Sequence, residues 1–431
     1  MTPAARIASA IELLSAVQAA GRKPADAVAN GFFRDRRFIG SGDRRSVSDR
    51  VWGVMRARRR LGWWLGRIGA EVTPRLLVAA SLLLEGWTLD GVKQSFAGGQ
   101  FGPTHLTAGE AAGLRRLEAQ GLAHPEMPEG VALEVPDWVV PLLRARFGAA
   151  VGAEMAAMGE AAPLDLRVNL LKGTREEAVA ALLSEGIAAE VTGLSPWGLR
   201  VEGRRLVTSG PAFQTGLVEI QDEGSQLVAL MVGALPGMRV ADWCAGAGGK
   251  TLALAMTMAN KGAIVACDVS APRLEGAVRR LRRAGVHNVE QHLIESGDKW
   301  AKRRAGSFDR VLVDAPCTGT GTWRRNPDAR LRLVEQDLRE LVVKQAAILE
   351  RASGLVRKGG RLVYATCSIL VEENEAQVAA FLAAHADFSV VPLGRVWTGE
   401  ADVPGGGDFL SLTPLRHGTD GFFTAVLERA A

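Results

Sequence analysis

The chain is poor in cysteine: four in 431 residues, with no C-x-x-C pair among them. That excludes a disulfide framework, leaves no zinc-type ligand spacing, and makes a reducing cytoplasm the expected setting with no metal. Long apolar runs are missing too. None approaches the roughly 18–20 residues of a membrane span, so no membrane is expected as a partner. The opening MTPAARIASAIELL places Glu12 inside its apolar stretch and reads as an amphipathic helix, not a secretion signal. Internal repeats and low-complexity tracts are absent, which sets aside solenoid and fibrous classes.

What the chain does have is core-forming material. Hydrophobic residues make up 47% and charged residues 23%, enough to bury substantial cores, and the length suggests two or three domains. The charge is unevenly divided. Residues 1–70 hold 14 basic and 5 acidic residues, a net +9, so the remainder carries −4 of the total +5. Eight of the basic residues lie between Arg34 and Arg58, and Arg59-Arg60 extend the run. A polyanion partner fits this asymmetry; a solvated helix face in an arginine-rich chain explains it equally well.

Three regions are expected. Residues 1–125 read as helical: apolar residues recur at helical spacing in Ile7, Ile11, Leu14 and Val17, and again in Val47, Val51, Val54 and Met55. Ser41, Asp43 and Ser46 are candidate caps for the second series. The Pro-containing stretch His124–Pro136 reads as a boundary. Residues 126–212 mix helices with short strands around Leu166–Leu170, in AAEVTGL and in LRVEG, as a small α+β module. Residues 213–431 alternate strands with helices. The runs RVADW, AIVACD, VEQHLI, FDRVLVD and RLVYAT have the rhythm of a doubly wound, mostly parallel sheet, a Rossmann-like α/β domain. Ligands of such sheets bind beyond the carboxyl ends of the strands.

The first of these strands runs into Cys244, Ala245, Gly246, Ala247, Gly248, Gly249 and Lys250, then a helix. A phosphate-binding P-loop would need glycine where Cys244 stands, and a dinucleotide fingerprint would need a third glycine where Thr251 stands. The remaining class binds an adenosine ligand without phosphates and grips the ribose with an acidic residue ending the next strand. Asp268 stands at that spacing. The loop therefore favours S-adenosyl-L-methionine over ATP or a dinucleotide.

Two further strands end in Asp314-Ala-Pro-Cys317 and in Cys367-Ser368, on the same side of the sheet. Buried small hydrophobes are the bland account of cysteine, and it suffices for Cys267. The chemical account is methylation of a pyrimidine. Carbon 5 of the ring is a poor nucleophile until a thiolate adds at carbon 6, and loss of the carbon 5 proton then expels the thiolate. Such a site needs positive charge or oriented N–H groups to favour thiolate, and Asp314 is placed to hydrogen-bond the ring nitrogen.

CAGAGGKT, DAPCTGTG (Asp314–Gly321) and YATCS (Tyr364–Ser368) together resemble the RNA 5-methylcytosine methyltransferases of the Sun/Nop2 type. The likeness runs over Leu166–Glu428 and includes LRVN, QDEGSQL, EENE (Glu372–Glu375) and HGTDGFF (His417–Phe423). It implies a class I methyltransferase fold, Cys367 as the nucleophile, and Cys317 as the residue assisting release of the methylated base. It also implies cofactor contacts at Cys244–Lys250, Asp268 and Asp314. A third acidic contact after the next strand falls on Glu295 or Asp298, with Asp298 favoured. Ala247 stands where many members have proline, which should loosen the loop slightly.

The stretch Gly40–Leu61 resembles the RNA-binding domain of transcription-antitermination factor B, a domain fused to ribosomal RNA methyltransferases of bacteria. The likeness implies a structured RNA partner, 16S rRNA foremost, with tRNA as the other substrate and a non-catalytic ribosome assembly factor as the other class. A monomer is expected. Arg273–Arg283, with five arginines, and Arg324-Arg325 are candidates for phosphate contact, and Trp323 for base stacking, although a loop tryptophan is at least as often a packing anchor. Glu372–Glu375 read as helix-dipole partners, and His417 and Asp420 as structural polar groups near the sheet edge.

Overall fold

Thr2 and Thr73 each stand before a proline, and each caps a helix by accepting a backbone N–H: Ala5 at 3.2 Å and Leu76 at 3.2 Å. Proline at the first helical position costs nothing there, because its missing N–H would have had no intrahelical partner. A computed structural model describes residues 1–431 except Arg204, Glu400, Gly405 and Gly406. Helices Pro3–Ala19, Ala25–Asp35, Ser41–Arg56, Arg58–Arg67 and Pro74–Leu84 make up most of the first region. Pro74–Leu84 is apolar on every side and buries Leu76 through Leu83, so its neighbours pack around it. Leu13, Leu14, Val47, Val51, Leu61 and Leu65 share that core.

The chain divides into two compact units: Met1–Ala161 with Trp323–Glu335, and Ala162–Thr322 with Gln336–Ala431. Residues 126–161, expected with the small module, thus belong to the helical unit. The reason is visible in the supposed boundary stretch. Met127 enters the helical core, and the buried Glu134 carboxylate accepts the N–H groups of Arg59 and Arg60 at 2.9 Å each. Those are unpaired donors at the start of helix Arg58–Arg67, where a carboxylate complements the dipole.

The basic run is therefore partly internal. Arg60 Nε also meets Glu134 at 2.9 Å, Arg59 meets Asp137 at 3.0 Å, and Arg50 meets Glu85 at 2.7 Å. Arg34, Arg37 and Arg45 are exposed and have no carboxylate partner among the described residues. Asp43 is not a cap. It sits in the first turn of its helix and binds the amino terminus and Arg6. Trp323 is fully buried in this unit under the Arg330 guanidinium, and Arg324 is buried as well. Neither side chain is available for base stacking or phosphate contact in this state.

The second unit carries two sheets. Strands β1 (Leu164–Val168), β2 (Ala189–Val191), β3 (Gly198–Val201) and β4 (Val218–Ile220) form an antiparallel sheet ordered β2-β3-β1-β4. It is backed by helix Arg175–Ser184, whose start carries a reciprocal Thr174–Glu177 cap. The large sheet comprises β5 (Arg239–Asp242), β6 (Ala263–Asp268), β7 (Val289–Leu293), β8 (Phe308–Asp314), β9 (Val356–Thr366), β10 (Phe388–Val390), β11 (Leu410–Leu412) and β12 (Phe422–Arg429). Its order is β10-β12-β9-β8-β5-β6-β7, with β11 beside β12.

Strands β5 to β9 are parallel, as their apolar runs predict, and β12 inserts antiparallel against β9. Alternate residues serve opposite faces. Val240, Ile264, Leu312 and Val363 enter one core, and Ala241, Val265, Val311 and Leu362 the other. At β5, β6, β8 and β9 both faces are covered, which is why these strands lack regular polar alternation, whereas β7 (VEQHL), at the end of the sheet, buries none of its residues fully. The strand order reverses between β5 and β8, so the crevice for ligands lies at their carboxyl ends. No helix among the described residues is long and apolar enough to cross a membrane.

Candidate active site

Beyond β5 the backbone turns through Gly246 and Gly248, whose φ values of 54° and 78° suit glycine. Gly248 also faces Ala277, where an added Cβ would come within 3.0 Å of the alanine methyl. The turn is tied to β6 twice: Ala245 N–H donates to the Cys267 carbonyl (2.9 Å) and Gly246 N–H to Oδ2 of Asp268 (2.8 Å). Ser270 N–H donates to Oδ1 of Asp268 at 2.8 Å, so the carboxylate predicted from its spacing is fixed at the loop.

Two arginines hold the loop's carbonyl groups. Arg280 Nη1 donates to the Ala247 carbonyl at 2.6 Å, and Arg167 Nη1 to the Gly249 carbonyl at 3.0 Å. Arg167 is also bound to Gln221 Oε1 at 2.8 Å; burial brings its guanidinium down to about 10. Glu219 accepts Arg283 at 2.6 Å and Arg280 at 3.4 Å. Of the five arginines on helix Ala271–Ala284, these two are turned inward, leaving Arg273, Arg279 and Arg282 exposed. Below the loop, Thr251 donates to the fully buried Asp242 at 2.7 Å, and burial raises that carboxyl to about 7.

Cys317 and Cys367 meet, their sulfurs 3.4 Å apart. They do so because β8 and β9 are neighbours and the strand pairing continues past Asp314: Ala315 N–H donates to the Ala365 carbonyl at 2.8 Å. Lys250 connects the cysteines to the glycine loop. Its Nζ lies 2.7 Å from Oδ2 of Asp314. Burial works against its charge, but the attraction and hydrogen bond of Asp314, then the charges of Cys367 and Asp242, hold the ammonium above its usual value. A buried cation within electrostatic reach of Cys367 is what a thiolate requires. The Cys317 thiol is pushed well up by its hydrogen bond to Cys367, then by burial and by the charges of Cys367 and Glu373. Burial likewise raises Cys244 and Cys267.

The loops carrying the cysteines are knitted by groups whose purpose the sequence does not announce. Gly321 N–H donates to the Cys367 carbonyl (2.9 Å), and Gly421 N–H to the Gly321 carbonyl (2.8 Å). An added Cβ on Gly321 would lie 2.2 Å from the Gly421 carbonyl oxygen. The HGTDGFF segment thereby supports the DAPCTGTG loop, leading into β12 in the sheet interior and not at its edge. Thr320 and Ser368 share a hydroxyl contact of 3.0 Å. Asn374 accepts Thr366 Oγ1 at 2.6 Å and donates to the Ser368 carbonyl at 2.9 Å. Glu373, fully buried, accepts the Thr318 N–H at 2.8 Å, the Thr318 hydroxyl at 2.5 Å and Gln345 Nε2 at 2.9 Å. Helix-dipole pairing does not describe these two side chains.

Asp298 is placed differently from the other predicted cofactor residues. Its oxygens are engaged by His292 Nε2 (2.6 Å) and Trp300 N–H (2.7 Å), with the His292 ring stacked on Trp300. This braces the segment after β7, while Glu295 is exposed. His417 and Asp420 remain structural: His417 accepts the Thr413 N–H, and Asp420 N–H donates to Asp222.

Comparison with known proteins places this geometry among relatives. The family model for 16S rRNA methyltransferase RsmB/F matches residues 230–428, and that for the ferredoxin-like domain of RsmF/B-like methyltransferases matches residues 135–208. A probable ribosomal RNA small subunit methyltransferase B of Synechocystis is 32% identical, over 90% of this chain and 92% of its own. The ribosomal RNA small subunit methyltransferase B of Pectobacterium atrosepticum is 30% identical, over 91% and 92%. Among solved structures, PH0851 superimposes with a TM-score of 0.79 at 26% identity, covering 100% of this chain and 99% of that one. A methyltransferase homologue from Pyrococcus horikoshii gives 0.61 at 29% identity, over 71% and 100%.

Proposed function

The chain belongs to the RsmB/F family of 16S rRNA methyltransferases, and on that premise we propose that it methylates carbon 5 of one cytosine in 16S rRNA, with S-adenosyl-L-methionine as the methyl donor and Cys367 as the covalent nucleophile. The observation that carries this reading is the 3.4 Å approach of Cys317 and Cys367 beside the Lys250–Asp314 pair.

The glycine loop suits an adenosine-type cofactor. Asp268 is anchored at the turn through one N–H per oxygen, which leaves lone pairs for ribose hydroxyls, and a Cβ on Gly246 would meet open space. Cys244–Lys250, Asp268 and Asp314 would hold the cofactor, and Asp298 would contribute only if its bond to His292 opened. When bound, the cofactor supplies an electrophilic methyl group.

The protein's part is to make carbon 5 nucleophilic. Lys250 stabilises Cys367 as thiolate, and the sulfur adds to carbon 6. Oδ2 of Asp314 is taken by Lys250, which leaves Oδ1 for ring nitrogen 3; a proton passed from the Lys250 ammonium through Asp314 to that nitrogen as the sulfur adds returns by the same route once carbon 5 has taken the methyl group. After methyl transfer the carbon 5 proton passes to water, its electron pair forms the ring double bond, and Cys367 leaves carbon 6. Cys317 retains its proton and donates it to the departing sulfur.

A cytosine in structured RNA must be unstacked before attack. The exposed Arg34, Arg37 and Arg45 and the small antiparallel sheet are the surfaces we assign to holding the RNA. Mapping 5-methylcytosine in total RNA from cells with and without the gene tests the assignment. Loss of one mark in 16S rRNA is the expected result. A mark lost from tRNA instead would overturn the ribosomal substrate, and no lost mark would favour a non-catalytic assembly role.

A further inference from the structure

Glu373 spends a carboxylate in a place where water cannot reach it. Burying an ionised group is costly unless hydrogen bonds and neighbouring polarity replace its hydration. Here both oxygens are used, and both reach Thr318, the residue after Cys317: Oε1 takes its N–H at 2.8 Å and Oε2 its hydroxyl at 2.5 Å. Gln345 reinforces the grip from a third element, donating from one Nε2 to Glu373 (2.9 Å) and to the Pro316 carbonyl (2.9 Å). The peptide units on either side of Cys317 are thus held by one connected network. The backbone of Glu373 is fixed as well, its carbonyl accepting the Tyr364 hydroxyl at 2.6 Å.

The neighbouring helix does not account for this arrangement. Glu375–Ala384 begins after Asn374, which makes no side-chain cap, and the Glu373 carboxylate is directed at the cysteine loop. Among the described residues no comparable anion touches the residue after Cys367. There the Ser368 N–H goes to Thr366 Oγ1 at 3.1 Å, a neutral contact. The negative charge is set beside the cysteine assigned to release and not beside the nucleophile.

We infer that Glu373 is a positioning residue for product release, gripping Thr318 so that the Cys317 sulfhydryl points at the Cys367 sulfur while the bond from that sulfur to carbon 6 breaks. The inference rests on the covalent reading above. In the step concerned, the carbon 5–hydrogen bond breaks and its proton goes to water. Its electrons form the carbon 5–carbon 6 double bond, and the carbon 6–sulfur pair leaves on Cys367. Cys367 takes the Cys317 proton, and the Cys317 thiolate is reprotonated from water. The hydrogen bond to Cys367 and burial hold the proton on Cys317 first, with the Cys367 charge next, and the carboxylate gripping Thr318 adds to them in the same direction.

The test uses the full-length protein with S-adenosyl-L-methionine and small-subunit rRNA, scoring turnover, cofactor affinity and the protein–RNA adduct that survives denaturation. E373Q keeps the size of the side chain but removes its charge and leaves one acceptor oxygen for the three donors that Glu373 satisfies, the Thr318 N–H, the Thr318 hydroxyl and Gln345 Nε2. The expected result is accumulated adduct, as with C317S, with turnover lower by about tenfold, the scale of one broken buried hydrogen bond, and cofactor affinity unchanged. Lower turnover without adduct would reduce Glu373 to a structural part, and unchanged turnover would remove the role altogether. If E373Q does not fold, T318V removes the hydroxyl contact from the other side and is scored in the same way. C317S separates the two claims: adduct with C317S but not with E373Q overturns this inference alone, whereas no adduct with C317S overturns the covalent reading beneath it.

Discussion

In the glycine loop two guanidinium groups, Arg167 and Arg280, reach backbone carbonyl oxygens, while in the cysteine loops a single carboxylate, Glu373, reaches a backbone N–H and a hydroxyl. Both loops leave neighbouring strand ends of one sheet, and Lys250 belongs to both through its contact with Asp314. They differ in how much depends on the brace. Arg280 is partly exposed and shares Glu219 with Arg283, so water can replace what a substitution removes. Glu373 is sealed, and a half-satisfied polar network in a dry interior is worse than none. Damage at Arg280 should therefore be graded and confined to cofactor affinity, whereas damage to the cysteine loops should change the course of the reaction.

The strongest challenge to that division is Cys367→Ala, which removes the proposed nucleophile and leaves the glycine loop untouched. Methylation should fall by about a thousandfold or more, with cofactor affinity by calorimetry unchanged; a parallel loss of cofactor binding would mean the loops are not separable. Next comes Gly321→Ala. Its methyl group has no room beside the Gly421 carbonyl, so the loop must shift, and thermal unfolding should show a loss of about 1–3 kcal/mol. Arg280→Ala should be milder, weakening the cofactor by about threefold to tenfold at unchanged saturated turnover. An Arg280→Ala protein that accumulated RNA adduct would blur the comparison, because we assign release to the other loop.

The smallest effect concerns pH. Asp242 is raised to about 7 by burial, above the ordinary value of 3.8. The fold prefers the protonated acid, so this contribution to stability is complete below about pH 4 and is lost as pH rises through 7. Asp242→Asn keeps an oxygen for the Thr251 hydroxyl and cannot ionise. Its melting temperature should therefore fall less than that of the wild type between pH 5 and 8, and equal pH profiles would show that Asp242 titrates as an ordinary carboxyl.

Much of this was readable from the chain because the chemistry lies in short contiguous runs. The five parallel strands announce themselves as apolar β-branched segments, and Asp268, Asp314, Cys317 and Cys367 stand where those strands end. What escaped the sequence is partnership across distance. Arg280 is one of five arginines on its helix, and nothing local distinguishes it from Arg279, which remains exposed. Glu373 lies 55 positions from Thr318, and only the pairing of β8 with β9 brings them together. Acidic residues before a helix have a sufficient local explanation, and here tertiary packing overrides it. Trp323 is the packing anchor that a loop tryptophan equally often is: it is fully buried, and residues 323–335 pack with the helical unit. The β12 strand went unread although its run FFTAVL, buried on both faces, is of the same kind as those of the parallel strands.

The most direct measurement of the central claim is denaturing electrophoresis of C317S and C367S, each incubated with small-subunit rRNA and S-adenosyl-L-methionine, with mass spectrometry of any peptide left attached to RNA. The account predicts an adduct in C317S, linked through Cys367 to carbon 6 of a methylated cytosine, and none in C367S. An adduct in C367S linked through Cys317, with none in C317S, would contradict it and exchange the two roles.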